Sequence, residues 1–247
     1  MSHHGAVPAA QDAGAEHPGR DLIRVLIVIS VALAALSLGV PNVITASVVS
    51  APDSTVRQLF DVAGEANLPT WYAVSVLAVA ASLHLLVAHL AYRAGLRVWR
   101  LWTVSAGVLT ALSLDDAASL HERLDGLGGQ LGAQEYAFAW VVPGSAVALA
   151  VVGTMTLLMI RVDRCVRRDL ACGLGLFLGA AVGLEAVNGA LLAEGTSRLY
   201  VGLTHIEELT EMIGAIVILR AGLRALRVRP HPAGGLTISY AADLASS

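Results

Sequence analysis

Six apolar segments, at approximately 22–40, 71–92, 98–116, 137–160, 170–193 and 203–224, are each long enough to cross a bilayer as a helix. A hydrocarbon core about 30 Å thick needs about 20 helical residues. Lipid supplies no partner for an open backbone, so such a chain has few options besides a helix bundle. Its mean hydropathy of +0.69 and charged fraction of 14% agree with this. A soluble domain carries roughly 25% charged residues. The reading is therefore an all-α, polytopic membrane helix bundle of six transmembrane helices, without a large soluble domain or any basic surface suited to nucleic acid.

The arginines orient it. The sequence has no Lys, and its sixteen basic residues are all Arg. Thirteen cluster before the first segment, between the second and third, between the fourth and fifth, and after the sixth. Only Arg57, Arg123 and Arg198 lie at the other end. Short cytoplasmic loops are enriched in Arg, which predicts both termini to be cytoplasmic in a bacterial inner membrane. Residues 1–20 read as a disordered tail, 21–226 as the transmembrane domain, and 227–247 as a cytoplasmic tail. Cys165 and Cys172 are too few for a disulfide framework and read as packing residues.

The acids take the opposite end. Thirteen of nineteen carboxylates lie toward the outer ends of the segments. Acidic residues contribute little to topology, so the asymmetry is not an insertion signal. Asp115, Asp116, His121 and Glu122 form one cluster; His205, Glu207, Glu208 and Glu211 form a second. Glu185 stands in the fifth apolar run, and Glu65 in the first outer loop. Ionisable groups at membrane depth cost several kcal/mol unless paired, protonated, hydrated or bound to a cation. Continuing the third helix places Asp115, Ser119 and Glu122 on one face, leaves Asp116 beside Arg123, and turns His121 away. On the sixth, Thr204, Glu208 and Glu211 share a narrow arc, while Glu207 and Glu211 are like-charged i,i+4 neighbours. Asn67 and Pro69 read as the start of the second helix. Trp71 and Tyr72 fit an interfacial aromatic belt, and His84 and His89 read as packing residues.

Three elements resemble a set of uncharacterised bacterial multi-pass membrane proteins: Glu-x-Asn-x-Pro-Thr-Trp at 65–71, Asp-acid-x4-His-Glu at 115–122, and Glu-Glu-x2-Glu-Met at 207–212. The resemblance implies that the three belong together and implies no activity.

Three chemistries fit. Carboxylic acids retained among other carboxylates can protonate an alkene or relay protons, with nearby aromatic faces stabilising a cation. A small helical bundle using a few acids resembles, at the level of fold, the integral-membrane terpene cyclases. This leading expectation is an enzyme on an apolar lipid or isoprenoid, requiring no cofactor, with Asp115, Asp116 and Glu211 as proton donors. Glu65, Glu122, Glu185, Glu207 and Glu208 surround them, and His121 and His205 complete a relay. In the second, Asp115, Glu122, His205, Glu208 and Glu211 hold a divalent cation for lipid hydrolysis. Glu207-x3-Glu211 resembles an element of undecaprenyl-diphosphate phosphatases, but their Ser/Arg-rich motif is missing. The third is a proton or cation transporter, for which no internal repeat is visible.

Overall fold

The computed structural model describes residues 19–43, 51, 54–133, 138–193, 195, 197–231 and 233–241. Four of its helical stretches are long and apolar enough to cross a membrane: Arg20–Pro41, Leu68–Arg93, Val141–Met159 and Arg164–Ala193. Of the expected tail at 1–20, residues 1–18 lie outside the described residues, as do the acids Asp53, Glu135 and Glu194, while Arg20 already begins the first helix.

Helix α1 covers Arg20–Val43. A short α2, Thr55–Phe60, leads to α3, Leu68–Arg93. The Asn67 side chain accepts from Thr70 N–H at 3.1 Å and Pro69 occupies the first turn, so α3 starts where cap and proline predict. Helix α4 covers Trp99–Ala118. After a broken helical stretch at 122–133, containing α5 (Asp125–Gly128), come α6, Val141–Met159, and α7, Arg164–Leu178. A π-helical turn, Gly179–Leu184, joins α7 to α8, Glu185–Ala193. Helix α9 is Ser197–Arg224.

Helix α9 is the axis of the bundle and packs on α1, α3, α7 and α8. From Ala215 to Leu219 every residue is buried, which requires neighbours on all sides of the helix. Its closest approach is to α7 through facing glycines. A Cβ on Gly214 would lie 2.7 Å from the Phe177 amide nitrogen, and one on Gly173 would lie 2.9 Å from the Gly214 carbonyl oxygen. Small residues at such a crossing let backbones approach where burying apolar surface against lipid gains nothing. The outside of the bundle carries the large apolar side chains instead, such as Val28 at 65% and Leu149 at 72% exposed. A water-soluble monomer rarely shows so extensive an apolar surface.

Helix α3 ties to α1 through Tyr72, which is buried and donates its hydroxyl to Leu26 O at 2.6 Å. Of the two aromatic residues expected at the interface, Trp71 is exposed and Tyr72 is buried in the bundle. His84 is a packing residue as expected. It is fully buried, bonded to Ser105 at 2.7 Å and set edge-on to Trp102. Cys165 and Cys172 are exposed rather than packed.

The Arg-rich end differs most from expectation. Asp169, 1% exposed, accepts from Arg220 at 2.8 and 2.9 Å and from Arg224 at 3.3 Å, joining α7 to α9. The supposed tail beginning at 227 contains an antiparallel hairpin, β1 (Leu226–Pro230) with β2 (Leu236–Tyr240). The hairpin is rooted by Trp102 Nε1 donating to the Tyr240 hydroxyl at 3.4 Å and by Ala241 N–H donating to Ala225 O at 2.9 Å.

Candidate functional site

The acidic elements meet at one cavity of about 540 Å³. Glu65 enters from the loop before α3, Asp115 and Asp116 from the last turn of α4, and His121 and Glu122 from the segment after it. Glu185 enters from α8 and Glu207, Glu208 and Glu211 from the middle of α9. That makes eight carboxylates and one imidazole, with no Arg in the lining among the described residues. Apolar side chains such as Leu77, Leu112, Val151, Phe177 and Met212 line the rest of the cavity.

Local geometry decides how each acid is presented. Helix α4 does not continue past Ala118, because Ser119 adopts the left-handed conformation at φ 47°. Few non-glycine residues adopt it. The face assignment that assumed a continuous helix therefore fails beyond this point. His121 turns back instead, and its Nδ1 lies 3.2 Å from Asp115 Oδ2. No ion pair joins Asp116 to Arg123 among the described residues. The His121 ring also stacks at a tilt on Trp140, with centroids 4.7 Å apart.

Trp140 organises the other side. Its backbone N–H donates to Asp125 at 2.8 Å, and its indole Nε1 donates to Glu185 Oε1 at 2.9 Å. Glu185 follows directly on the π-helical turn. Such a turn shifts the register of the side chains beyond it and is frequent at functional sites. Asn188, one turn further, is buried and donates through Nδ2 to Glu207 and, at 3.4 Å, to Thr204. Thr204 Oγ1 donates to Tyr200 O at 3.0 Å, so it must accept from Asn188, which sets the amide orientation. Trp140 and Asn188 carry two direct hydrogen bonds to the cavity acids; the sequence offers Trp140 only as one of the aromatic faces near the site and gives Asn188 no role. Asn188 sits three residues after Glu185 in an apolar run, a helical i,i+3 spacing that was a usable signal.

Two groups outside the helical spans show the electrostatic coupling. Burial raises the Glu65 pKa, the charges of Glu122 and Asp115 raise it further, and His121 partly opposes them. For His121, burial pulls the pKa down. The Asp115 hydrogen bond and the charges of Asp115, Glu185 and Glu122 outweigh it, so the net shift is upward.

One expected member stands apart. His205 does not line the cavity. Its Nδ1–H donates to Val201 O at 2.7 Å, and its Nε2 accepts from the Ser37 hydroxyl at 2.9 Å. Ser37 in turn accepts from Val62 N–H at 3.1 Å. Both ring nitrogens are thus used: Nδ1 bonds back to the preceding turn of α9, and Nε2 ties α9 through Ser37 to α1 and to the loop bearing Glu65. This removes His205 from the relay and from the expected ligand set of Asp115, Glu122, His205, Glu208 and Glu211. A different trio, Glu65, His121 and Glu122, places one possible ligand atom from each residue within 4.8 Å of the others.

A family model described as a domain of unknown function (DUF8692) matches residues 24–226, which include every residue of this cavity. No curated protein and no solved structure matches the chain.

Proposed function

The chain belongs to the DUF8692 family, and on that premise we propose that it is a membrane-embedded enzyme acting on an apolar lipid or isoprenoid by carboxylate acid/base chemistry. Its most specific form is proton-initiated cyclisation or isomerisation. In this reading α4 and α9 complete a six-span bundle, both termini are cytoplasmic, and the cavity opens to the extracytoplasmic side.

One observation carries the reading: carboxylates from four separate parts of the chain share one cavity with apolar side chains and a single imidazole. So many acids against one base cannot all ionise in a site of low dielectric, and the protons they retain are chemically available. Asp116 and Glu211 are the preferred donors, since Asp115 is engaged by His121. The donor's O–H bond breaks as a C–H bond forms on the alkene, leaving a carbocation. Trp140, Phe138 and Tyr200 line the cavity, and an aromatic face turned to the carbocation would stabilise its charge. A neighbouring carboxylate then removes a proton from an adjacent carbon. The balance needs no oxidant or reductant. A volume of about 540 Å³ lies within the range of small-ligand sites.

A metal-dependent lipid hydrolase is the second reading, favoured by the Glu65–His121–Glu122 trio. One imidazole and two carboxylates suit a catalytic divalent cation that keeps a position open for water. The transporter reading has less support. Beyond Glu211, α9 is packed through Ala221, and no ionisable side chain below Glu211 lines the cavity among the described residues.

The test uses purified full-length protein with linear isoprenoid alkenes and alcohols in deuterated water. Proton-initiated chemistry leaves solvent deuterium on a product carbon, and Asp116→Asn and Glu211→Gln should abolish it in folded protein. Turnover that requires an added divalent cation, stops with chelator and leaves no deuterium on carbon would replace this reading with the hydrolase.

A further inference from the structure

The hairpin at the Arg-rich end is amphipathic in a way the bundle does not need. Side chains alternate along a strand, and the register pairs Leu226 with Tyr240, Val228 with Ile238, and Pro230 with Leu236 on one face. The opposite face pairs Arg227 with Ser239 and Arg229 with Thr237. Leu226 and Tyr240 pack against the core. The rest of the apolar face is uncovered: Val228 is 36%, Ile238 46% and Leu236 70% exposed.

Two observations bear on what covers it. The first is depth. Tyr92 and Trp99 meet edge-to-face at 5.5 Å, and the Arg100 guanidinium lies 5.6 Å from the Trp99 ring centroid. An aromatic pair beside arginine at helix ends is the signature of a membrane–water boundary. Trp102, the partner of Tyr240, is one turn further into α4, about 4.5 Å deeper. The root of the hairpin therefore lies within the boundary layer, and two residues on, Val228 and Ile238 are still close to it. The second is charge. Strand β2 packs on α3, whose end and following turn carry the exposed Arg93 and Arg97, and Arg100 at the start of α4 is exposed beside them in sequence. Arg164, Arg167 and Arg168, at the start of α7, are also exposed.

We propose that this hairpin is a surface anchor whose Val228–Leu236–Ile238 face seats in the headgroup layer of an anionic leaflet, with the surrounding arginines selecting acidic phospholipid. An apolar face backed by an Arg-bearing polar face is the pattern of an element lying in the plane of the interface, and each basic residue near an anionic surface adds to the attraction. The proposal rests on the reading that the bundle spans a membrane.

The experiment is nitroxide accessibility in full-length protein carrying Cys165→Ser and Cys172→Ser. Labels go at Ile238→Cys, at Thr237→Cys on the polar face, and at Leu149→Cys on the outside of α6. Protein is reconstituted into vesicles of phosphatidylcholine with or without phosphatidylglycerol. With phosphatidylglycerol, the Ile238 label should collide with oxygen in preference to aqueous nickel chelate, showing a several-fold lower nickel rate than the Thr237 label. That difference should shrink in phosphatidylcholine alone. Equal nickel access at positions 237 and 238 with a lipid-exposed Leu149 label overturns the anchor and leaves the membrane reading intact. A water-exposed Leu149 label overturns the membrane reading itself. A label at 238 shielded from both probes, with spin–spin broadening, assigns the face to a second copy and overturns the lipid partner. Equal behaviour in both vesicles overturns the anionic selectivity.

Discussion

Asp169→Ala tests the account of how α7 is held on α9. The carboxylate is 1% exposed and receives hydrogen bonds at 2.8, 2.9 and 3.3 Å from Arg220 and Arg224. Hydrogen bonds to charged groups contribute about 1.5–3 kcal/mol each, so the three together would suggest a large loss. Two facts reduce it. The Arg220 and Arg224 side chains keep 35% and 32% exposure, so water can reach the guanidinia once their partner is gone. Desolvating the ionised carboxylate also cost free energy that the alanine no longer requires. The net destabilisation should be about 2–4 kcal/mol, toward the low end for breaking a buried pair. At roughly 2–4 °C per kcal/mol for a domain of this size, the midpoint should fall by about 5–15 °C. The assay is thermal unfolding in mild detergent by circular dichroism, repeated for Arg220→Met and for the double variant. The double variant should lose less than the sum of the singles, because each single leaves a charge without its partner. A midpoint within about 1 °C of wild type for Asp169→Ala, with additive singles, would refute the reasoning and show the cluster to be energetically neutral.

Two further outcomes follow from the geometry. Gly214→Val should destabilise more than Gly202→Val, because the added atoms at 214 meet the Phe177 backbone while a Cβ at 202 has open space; comparable losses in thermal unfolding would show that α7 and α9 do not depend on this approach. The net upward shift of the His121 pKa makes imidazolium favoured in the fold. Its contribution to stability is therefore complete below the ordinary value of about 6.5 and is lost as pH rises through the elevated native value. In Asp115→Asn the His121 titration, followed by carbethoxylation rate against pH, should move to lower pH; an unchanged midpoint would mean that Asp115 does not hold the proton.

The helices were legible because hydropathy is a sum over neighbours in sequence. The segment at 71–92 is a helix at Leu68–Arg93, and that at 203–224 lies within Ser197–Arg224. The Asn67 cap was legible for the same reason, since its partner, Thr70, is three residues away. A clustering of Asp115, Asp116, Glu207, Glu208 and Glu211 toward one end could also be read from helix direction alone. That these acids face one cavity could not, since it depends on how separate helices rotate about their axes.

His205 looked like a site residue by position, and only the packing of α1 shows its Nε2 committed to Ser37, 168 residues away in sequence. His121 looked misdirected because a helix was extended through Ser119, whose left-handed backbone turns the chain back toward Asp115. Nothing within a turn of Asp169 in sequence announces its partners Arg220 and Arg224, which lie more than fifty residues away. Sequence alone thus determined which stretches are helical and at which end the ionisable groups gather, both properties of local composition and period. Tertiary structure alone decided which groups share a cavity, which are spent as struts between helices, and that Leu226–Pro230 pairs with Leu236–Tyr240 as a hairpin, because each depends on partners that only the packed chain brings within hydrogen-bonding distance.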